Sequence, residues 1–128
     1  MDDHSYEKKI YYHDTDCGGV VYYANYLKYL EEARTEFFLV KGVDLKKLSK
    51  DGIIFVVARV EIDYKLPARY QDTIRILTSI ENTRPAAIRF SQRILRVEKV
   101  VSEAKTTLVC VGKNLRPIAI PEEIRILL

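Results

Sequence analysis

A chain of 128 residues, 48% apolar and 30% charged, is long enough to close one hydrophobic core and reads as a single domain over residues 1–128. Its net charge of +3 falls short of the basic stripe of a nucleic-acid binder, and no apolar run approaches the ~20 residues of a membrane span. Cys17 and Cys110 are too few for a disulfide framework and the opening MDDHSYEKKI is mostly polar, so a cytoplasmic location is expected.

Residues 5–13 (SYEKKIYYH) carry aromatic and β-branched residues and predict a first strand. HDTDCGG follows as a loop of turn formers. From Val21 or Asn25 to Lys41 the pattern becomes helical. Leu27, Leu30, Ala33, Phe37 and Val40 recur at spacings of three and four, Tyr26 and Phe38 widen the stripe, and Gly42 is placed as a C-terminal cap. Leu45 to Leu48 predicts a short helical turn ended by Asp51-Gly52.

After Gly52 the chain changes to strands. IIFVVARVEIDYKL predicts a long one, with a break or bulge at Pro67. DTIRILTSIEN places Ile74, Ile76, Thr78 and Ile80 on one face, Arg84-Pro85 marks a turn, and AAIRFSQRILRV puts Ile88, Phe90, Gln92 and Ile94 in phase. Glu98-Lys99 predicts the next turn, SEAKTTLVCVGKN the last strand, and RPIAIPEEIRILL a Pro-flanked tail. The predicted class is α+β, an antiparallel sheet of about five strands with one long helix on one face. Such a sheet leaves its other face and its edges uncovered, and homo-oligomerisation is the expected remedy.

The stretch from Tyr11 to Phe38 is where chemistry is expected. Gly18-Gly19 lets a ligand approach the backbone closely. The helix start behind it offers unpaired N–H groups and a positive dipole end, suited to developing negative charge on an oxygen. Asp14 and Asp16 stand just before that end.

The run D-T-D-x-G-G-V-V-Y-x-x-N-Y-L-x-Y-L-E-x-A-R resembles the entry motif of hotdog-fold acyl-CoA thioesterases, in the 4-hydroxybenzoyl-CoA thioesterase and YbgC-like branch. Asp63-Tyr64 with Pro67-Ala68-Arg69 and Asp72, and Arg116-Pro117 with Ile120-Pro121-Glu122, look like later landmarks of that branch. The resemblance implies a sheet wrapped around the long helix, paired dimers or a tetramer with active sites at subunit interfaces, and thioester hydrolysis without metal or cofactor. It places the catalytic carboxylate on Asp16, as general base toward water or as a nucleophile forming a mixed anhydride. It places the thioester carbonyl against the Tyr23 backbone N–H; many YbgC-like members carry histidine there. It makes Gly18 and Gly19 neighbours of the substrate, and gives Asn25 either a hydrogen bond near the site or a helix-capping or loop-fixing role. It makes Arg84 and Arg116 candidates for the CoA phosphates, with carrier-protein thioesters also open.

Other readings attach to nearby residues. Asp14 suits an Asx-type turn that holds Asp16, and is the second choice for the catalytic base. Glu31, Glu32 and Glu36 read as solvated or interface charges. Arg34 is expected to pair with a nearby acid or a neighbouring subunit, and Arg59 likewise. His13 and Cys17 invite a base–thiol pair, but nothing orients His13. His4 reads as a terminal residue. Hydratase chemistry is disfavoured because no histidine follows His13. A non-catalytic acyl-CoA or acyl-carrier-protein binding module is the alternative to an enzyme.

Overall fold

The computed structural model describes residues 4–128. The elements follow in the order β1 (His4–Lys9), a 3-10 turn (Tyr12–Asp14), α1 (Asn25–Val40), α2 (Leu45–Lys50), β2 (Ile54–Tyr64), β3 (Thr73–Thr83), β4 (Ala87–Arg96), β5 (Lys99–Val111) and α3 (Glu122–Arg125). The five strands form one antiparallel sheet in the order β1-β3-β4-β5-β2, and α1 lies along one face of it. The expected strand–helix–strands order is present.

Alternation decides which face meets the helix. Ile74, Ile76 and Thr78 on β3, and Ile88, Phe90, Gln92 and Ile94 on β4, are all buried in the predicted phase. From α1 they meet Tyr26, Tyr29, Leu30, Ala33, Phe37 and Phe38. The predicted stripe is therefore rotated: Leu27 is 41% and Val40 70% exposed, because the tyrosines, not the flanking aliphatics, point at the sheet.

The core divides into two apolar clusters. Ile10, Val21, Leu30, Ile76 and Ile94 belong to one, and Phe37, Phe38, Ile88, Phe90 and Leu108 to the other. Burial of each such side chain stabilises the fold by about 1.5–3 kcal/mol. Between the clusters runs a buried polar layer, with Arg34 on α1, Thr78 on β3, Gln92 on β4 and Thr106 on β5.

Element ends follow local chemistry. Helix α1 closes with two reverse bonds, Gly42 N–H to Leu39 C=O and Val43 N–H to Phe38 C=O, and Gly42 takes the φ of +87° they require. Asp44 caps α2 by accepting from the Lys46 and Lys47 amides. The first strand stops at Lys9, short of residue 13, because Ile10 is fully buried and Tyr11–Asp14 turn tightly through an Asp14 N–H to Tyr11 C=O bond. His4, expected to be a plain terminal residue, is the first residue of β1, its ring edge-on to Phe37. Pro67 lies beyond the end of β2; the bulge within that strand falls between Val57 and Arg59.

The outer face of the sheet is charged. Arg89 binds Glu81 (2.6 Å) and Glu61 (2.9 Å), and Lys105 also holds Glu81. By contrast, the free edge of β2 exposes Val56, Val57 and Val60. The apolar surface left for a partner is an edge rather than that face.

Candidate active site

The site is built on a hairpin entering α1. Thr15 bridges Val21, the Asp16 N–H donates to Val20 C=O, and the Gly19 N–H returns to Asp16 C=O. Cys17-Gly18-Gly19 form the three-residue loop, and Gly19 has φ +79°. An L-residue there costs about 1–2 kcal/mol in backbone strain. Asp16 Oδ1 accepts the Gly18 N–H at 2.8 Å, which orients the carboxylate while the side chain stays exposed. A Cβ added to Gly18 would stand 3.2 Å from that same oxygen.

Asp14 anchors this hairpin from below. It is buried, its Oδ2 accepts the Tyr11 N–H (2.8 Å), and its C=O accepts both the Tyr22 N–H (3.0 Å) and Asn25 Nδ2 (2.9 Å). Asn25 thus ties the helix start to the loop; the N-cap position itself is Ala24, which has no capping side chain. Tyr29 is buried beside Asp14, and burial followed by the Asp14 carboxylate pushes its hydroxyl well above the usual tyrosine range.

The missing cap leaves donors free. The Tyr23 and Ala24 N–H groups make no hydrogen bond among the described residues, whereas the Asn25 N–H is tied back to Tyr22 C=O (2.8 Å). Tyr23 is further fixed by the Tyr64 hydroxyl, which donates to its carbonyl at 3.2 Å. A cleft of about 270 Å³ opens here, lined by Val21, Tyr23, Tyr26, Tyr64, Lys65, Leu66 and Pro67. The Tyr26 hydroxyl accepts the Ala68 N–H at 3.1 Å, and the rings of Tyr23 and Tyr26 both pack against Tyr64. Tyr64 was quoted only as a family landmark; its role at the site comes from a contact 41 residues away, which no local pattern signals.

Asp16, Gly18, Gly19, Tyr23 and Asn25 are thus brought together, and Arg84 and Arg116 are not. Arg84 sits at the β3–β4 turn in a groove of about 250 Å³ with Arg59, Asn82 and Arg89. Arg116 lies in the tail beside Gly112, whose N–H binds its carbonyl (3.0 Å). The length of β3, 11 residues at ~3.3 Å each, puts these arginines about 33 Å from the Asp16 end. His13 stacks on Tyr11 and faces Asp14 Oδ1 at 3.7 Å, and no hydrogen bond joins it to Cys17 among the described residues. Glu32 accepts the Tyr6 hydroxyl at 2.9 Å and faces Lys8, away from the cleft. Arg59 finds its acid in Glu61 at 3.5 Å, but Arg34 finds none among the described residues.

This sheet wrapped on a helix is the hotdog fold of thioesterases. A crystal structure of 4-hydroxybenzoyl-CoA thioesterase, solved as an Asp-to-Asn variant with 4-hydroxybenzoyl-CoA, superposes with a TM-score of 0.91 over 99% of both chains at 22% identity. A hypothetical protein from Aquifex aeolicus superposes at 0.93 over 98% of both, at 29% identity. In sequence, the acyl-CoA thioester hydrolase YbgC of Escherichia coli O157:H7 is 37% identical over 118 residues, 91% of this chain and 88% of that one. The family model of the thioesterase-like superfamily matches residues 11–128, and the chain belongs to that superfamily.

Proposed function

We propose that this protein hydrolyses an acyl-CoA thioester to a free carboxylic acid and CoA, with Asp16 as the catalytic carboxylate. The observation that carries the reading is the pairing of an oriented, exposed carboxylate with an uncapped helix start. Asp16 is held by the Gly18 N–H, and the free Tyr23 N–H faces the same end of the molecule. The thioester carbonyl lies against the Tyr23 N–H, which stabilises the oxyanion as charge develops. Asp16 either takes the proton of an attacking water or attacks the carbonyl itself, and thiolate leaves as CoA. A single turnover in isotopically labelled water identifies a mixed anhydride opened at the Asp16 carbonyl, which sends an Asp16 oxygen to the first product and leaves the label on Asp16. An anhydride opened at the acyl carbonyl labels the product as direct water attack does, and trapping the acylated Asp16 distinguishes that case.

The arginines enter through assembly. The Tyr64 end of β2 lies at the Asp16 site, and the Ile54 end pairs with Val111 near Arg116. Antiparallel pairing of two β2 edges about a two-fold axis sets the arginine end of one copy against the Asp16 end of the other. The working unit is a homodimer, or a dimer of dimers, with Arg84 and Arg116 of a second copy holding the CoA phosphates. The exposed Cys17 and buried Cys110 thiols fit a cytoplasmic location.

Thiol release from a panel of acyl-CoAs, run with Asp16→Asn, tests the reading. Hydrolysis is expected to fall by about 10²–10⁴-fold in the variant with ligand binding retained. Unchanged turnover would remove Asp16 from the mechanism. Binding without hydrolysis by the native protein across the panel would leave a non-catalytic acyl-CoA or carrier-protein module.

A further inference from the structure

The polar layer that separates the two apolar clusters contains a charge with no ion-pair partner among the described residues. Arg34 is only 7% exposed, and its Nη1 donates to Gln92 Oε1 at 3.2 Å. Gln92 is itself held by Leu30 C=O and the Thr78 hydroxyl, each at 3.0 Å. No carboxylate forms an ion pair with the guanidinium among the described residues, and its other donors make no hydrogen bond. Burial pushes the Arg34 pKa below its ordinary value, with only partial opposition from Glu31. In the same layer the Thr106 hydroxyl is buried without a partner. Buried charges are ordinarily compensated by an opposite charge or a full set of hydrogen bonds.

Arg34 also lines a cavity of about 110 Å³ and is the one cation of its lining among the described residues. Phe38, Leu45, Phe55, Val57 and Leu108 make apolar walls, and Glu31 and Thr35 complete the lining, with the Glu31 carboxylate engaged by the Thr35 hydroxyl (2.7 Å). The cavity lies between α1 and β2, and so does the tyrosine-lined cleft at the other end of the same seam. The arginine side chain reaches the level of Leu30 through Gln92, seven residues along the chain from Tyr23, or about 10 Å at the helical rise.

We propose that this cavity is a carboxylate-binding subsite in which the Arg34 guanidinium takes the oxyanion and the apolar walls take its carbon stem. A planar guanidinium with unused N–H groups matches a carboxylate through paired, charge-assisted bonds. Two sources supply that chemistry. One is the far carboxylate of a dicarboxylic acyl group; after allowing for hydrogen-bond lengths, the 10 Å path fits an acyl chain of about six carbons. This form rests on the thioesterase reading above. The other is a free small carboxylate, which does not.

The test compares adipoyl-CoA with hexanoyl-CoA, equal in length and differing at the far end, for the native protein, Arg34→Lys and Arg34→Met. A native preference in kcat/KM for adipoyl-CoA that drops by about tenfold or more in Arg34→Lys supports the acyl source. In parallel, thermal unfolding is followed in acetate against chloride at matched ionic strength. An acetate-specific rise in Tm that Arg34→Met abolishes, without any adipoyl preference, supports the subsite and assigns it to a free carboxylate. Equal use of both thioesters together with no acetate-specific rise overturns the proposal. Where neither thioester is hydrolysed, the thioesterase reading fails on these substrates and the acetate experiment alone decides the subsite. If both variants fail to fold, the native adipoyl preference and the native acetate-specific rise decide it.

Discussion

The two ends of the sheet carry opposite halves of the chemistry. At the end where β3 begins, Tyr23, Tyr26 and Tyr64 line a cleft of about 270 Å³, and the free Tyr23 amide and the Asp16 hairpin stand at the same end. At the end where β3 finishes, Arg59, Arg84 and Arg89 line a groove of about 250 Å³ and Arg116 stands in the adjoining tail. The first end suits a reacting thioester, and the second suits the phosphates of the group that carries it. Strand length keeps them apart within one chain. In the proposed dimer they are joined across the β2 edge, which is long, unpaired among the described residues and exposes Val56, Val57 and Val60.

Breaking that edge is the largest perturbation after Asp16→Asn itself. Val56→Lys with Val60→Lys adds charge to the half-exposed β2 edge at positions outside both apolar clusters and outside the lining of the Arg34 cavity, and is expected to dissociate the proposed oligomer. Sedimentation and turnover should fall together if the two ends act across the edge; a fully active monomer would show that one chain suffices. Next in size, Arg84→Ala and Arg116→Ala each remove a charge-assisted phosphate contact of about 1.5–3 kcal/mol, raising KM roughly 10- to 100-fold with kcat retained. A normal KM for CoA thioesters in both variants would take the arginine end out of substrate binding. Smaller still, Tyr64→Phe deletes the 3.2 Å bond to the Tyr23 carbonyl and should lower kcat by about two- to tenfold, with KM little changed.

The smallest effects are in stability and appear at alkaline pH. Burial raises the hydroxyl pKa of Tyr26, Tyr29 and Tyr64, and burial with Glu32 raises Tyr6 to about 12 from 10.0. The folded state therefore holds these protons more tightly than the unfolded one. The Tyr6 contribution is whole below pH 10 and is lost as pH climbs from 10 through about 12, and those of Tyr26, Tyr29 and Tyr64 are likewise lost as pH rises above 10. Tyrosinate absorbance and chemical unfolding across that window should show the loss, and Tyr6→Phe should flatten its Tyr6 share. Three of the four tyrosines, Tyr26, Tyr29 and Tyr64, belong to the acidic end, so alkaline unfolding is expected to begin there.

Much of this protein was legible in its residues. Two-residue alternation in β3 and β4 named the buried face down to Gln92, because strand geometry leaves one face no other occupant. Gly42 closed α1 because only a residue tolerant of positive φ completes its reverse bonds. The D-T-D-x-G-G run marks the loop through local needs of the same kind, a left-handed glycine and an Asx bond, although the Asx bond expected of Asp14 is made by Asp16 while Asp14 holds the Tyr11 N–H. Where a side chain could be satisfied by several neighbours, local pattern was silent. The sequence offered Arg34 an acid or a neighbouring subunit, and the fold set it beside Gln92, 58 residues away. It offered Asn25 several roles, and the fold tied it to Asp14. The resemblance offers Arg84 and Arg116 to the CoA phosphates without saying how far they stand from Asp16, and strand length sets them at the far end of the sheet. Backbone geometry repeats every few residues and is written in the sequence at that scale. Pairings across the sheet and along its length depend on register and packing, and only the tertiary structure decided those.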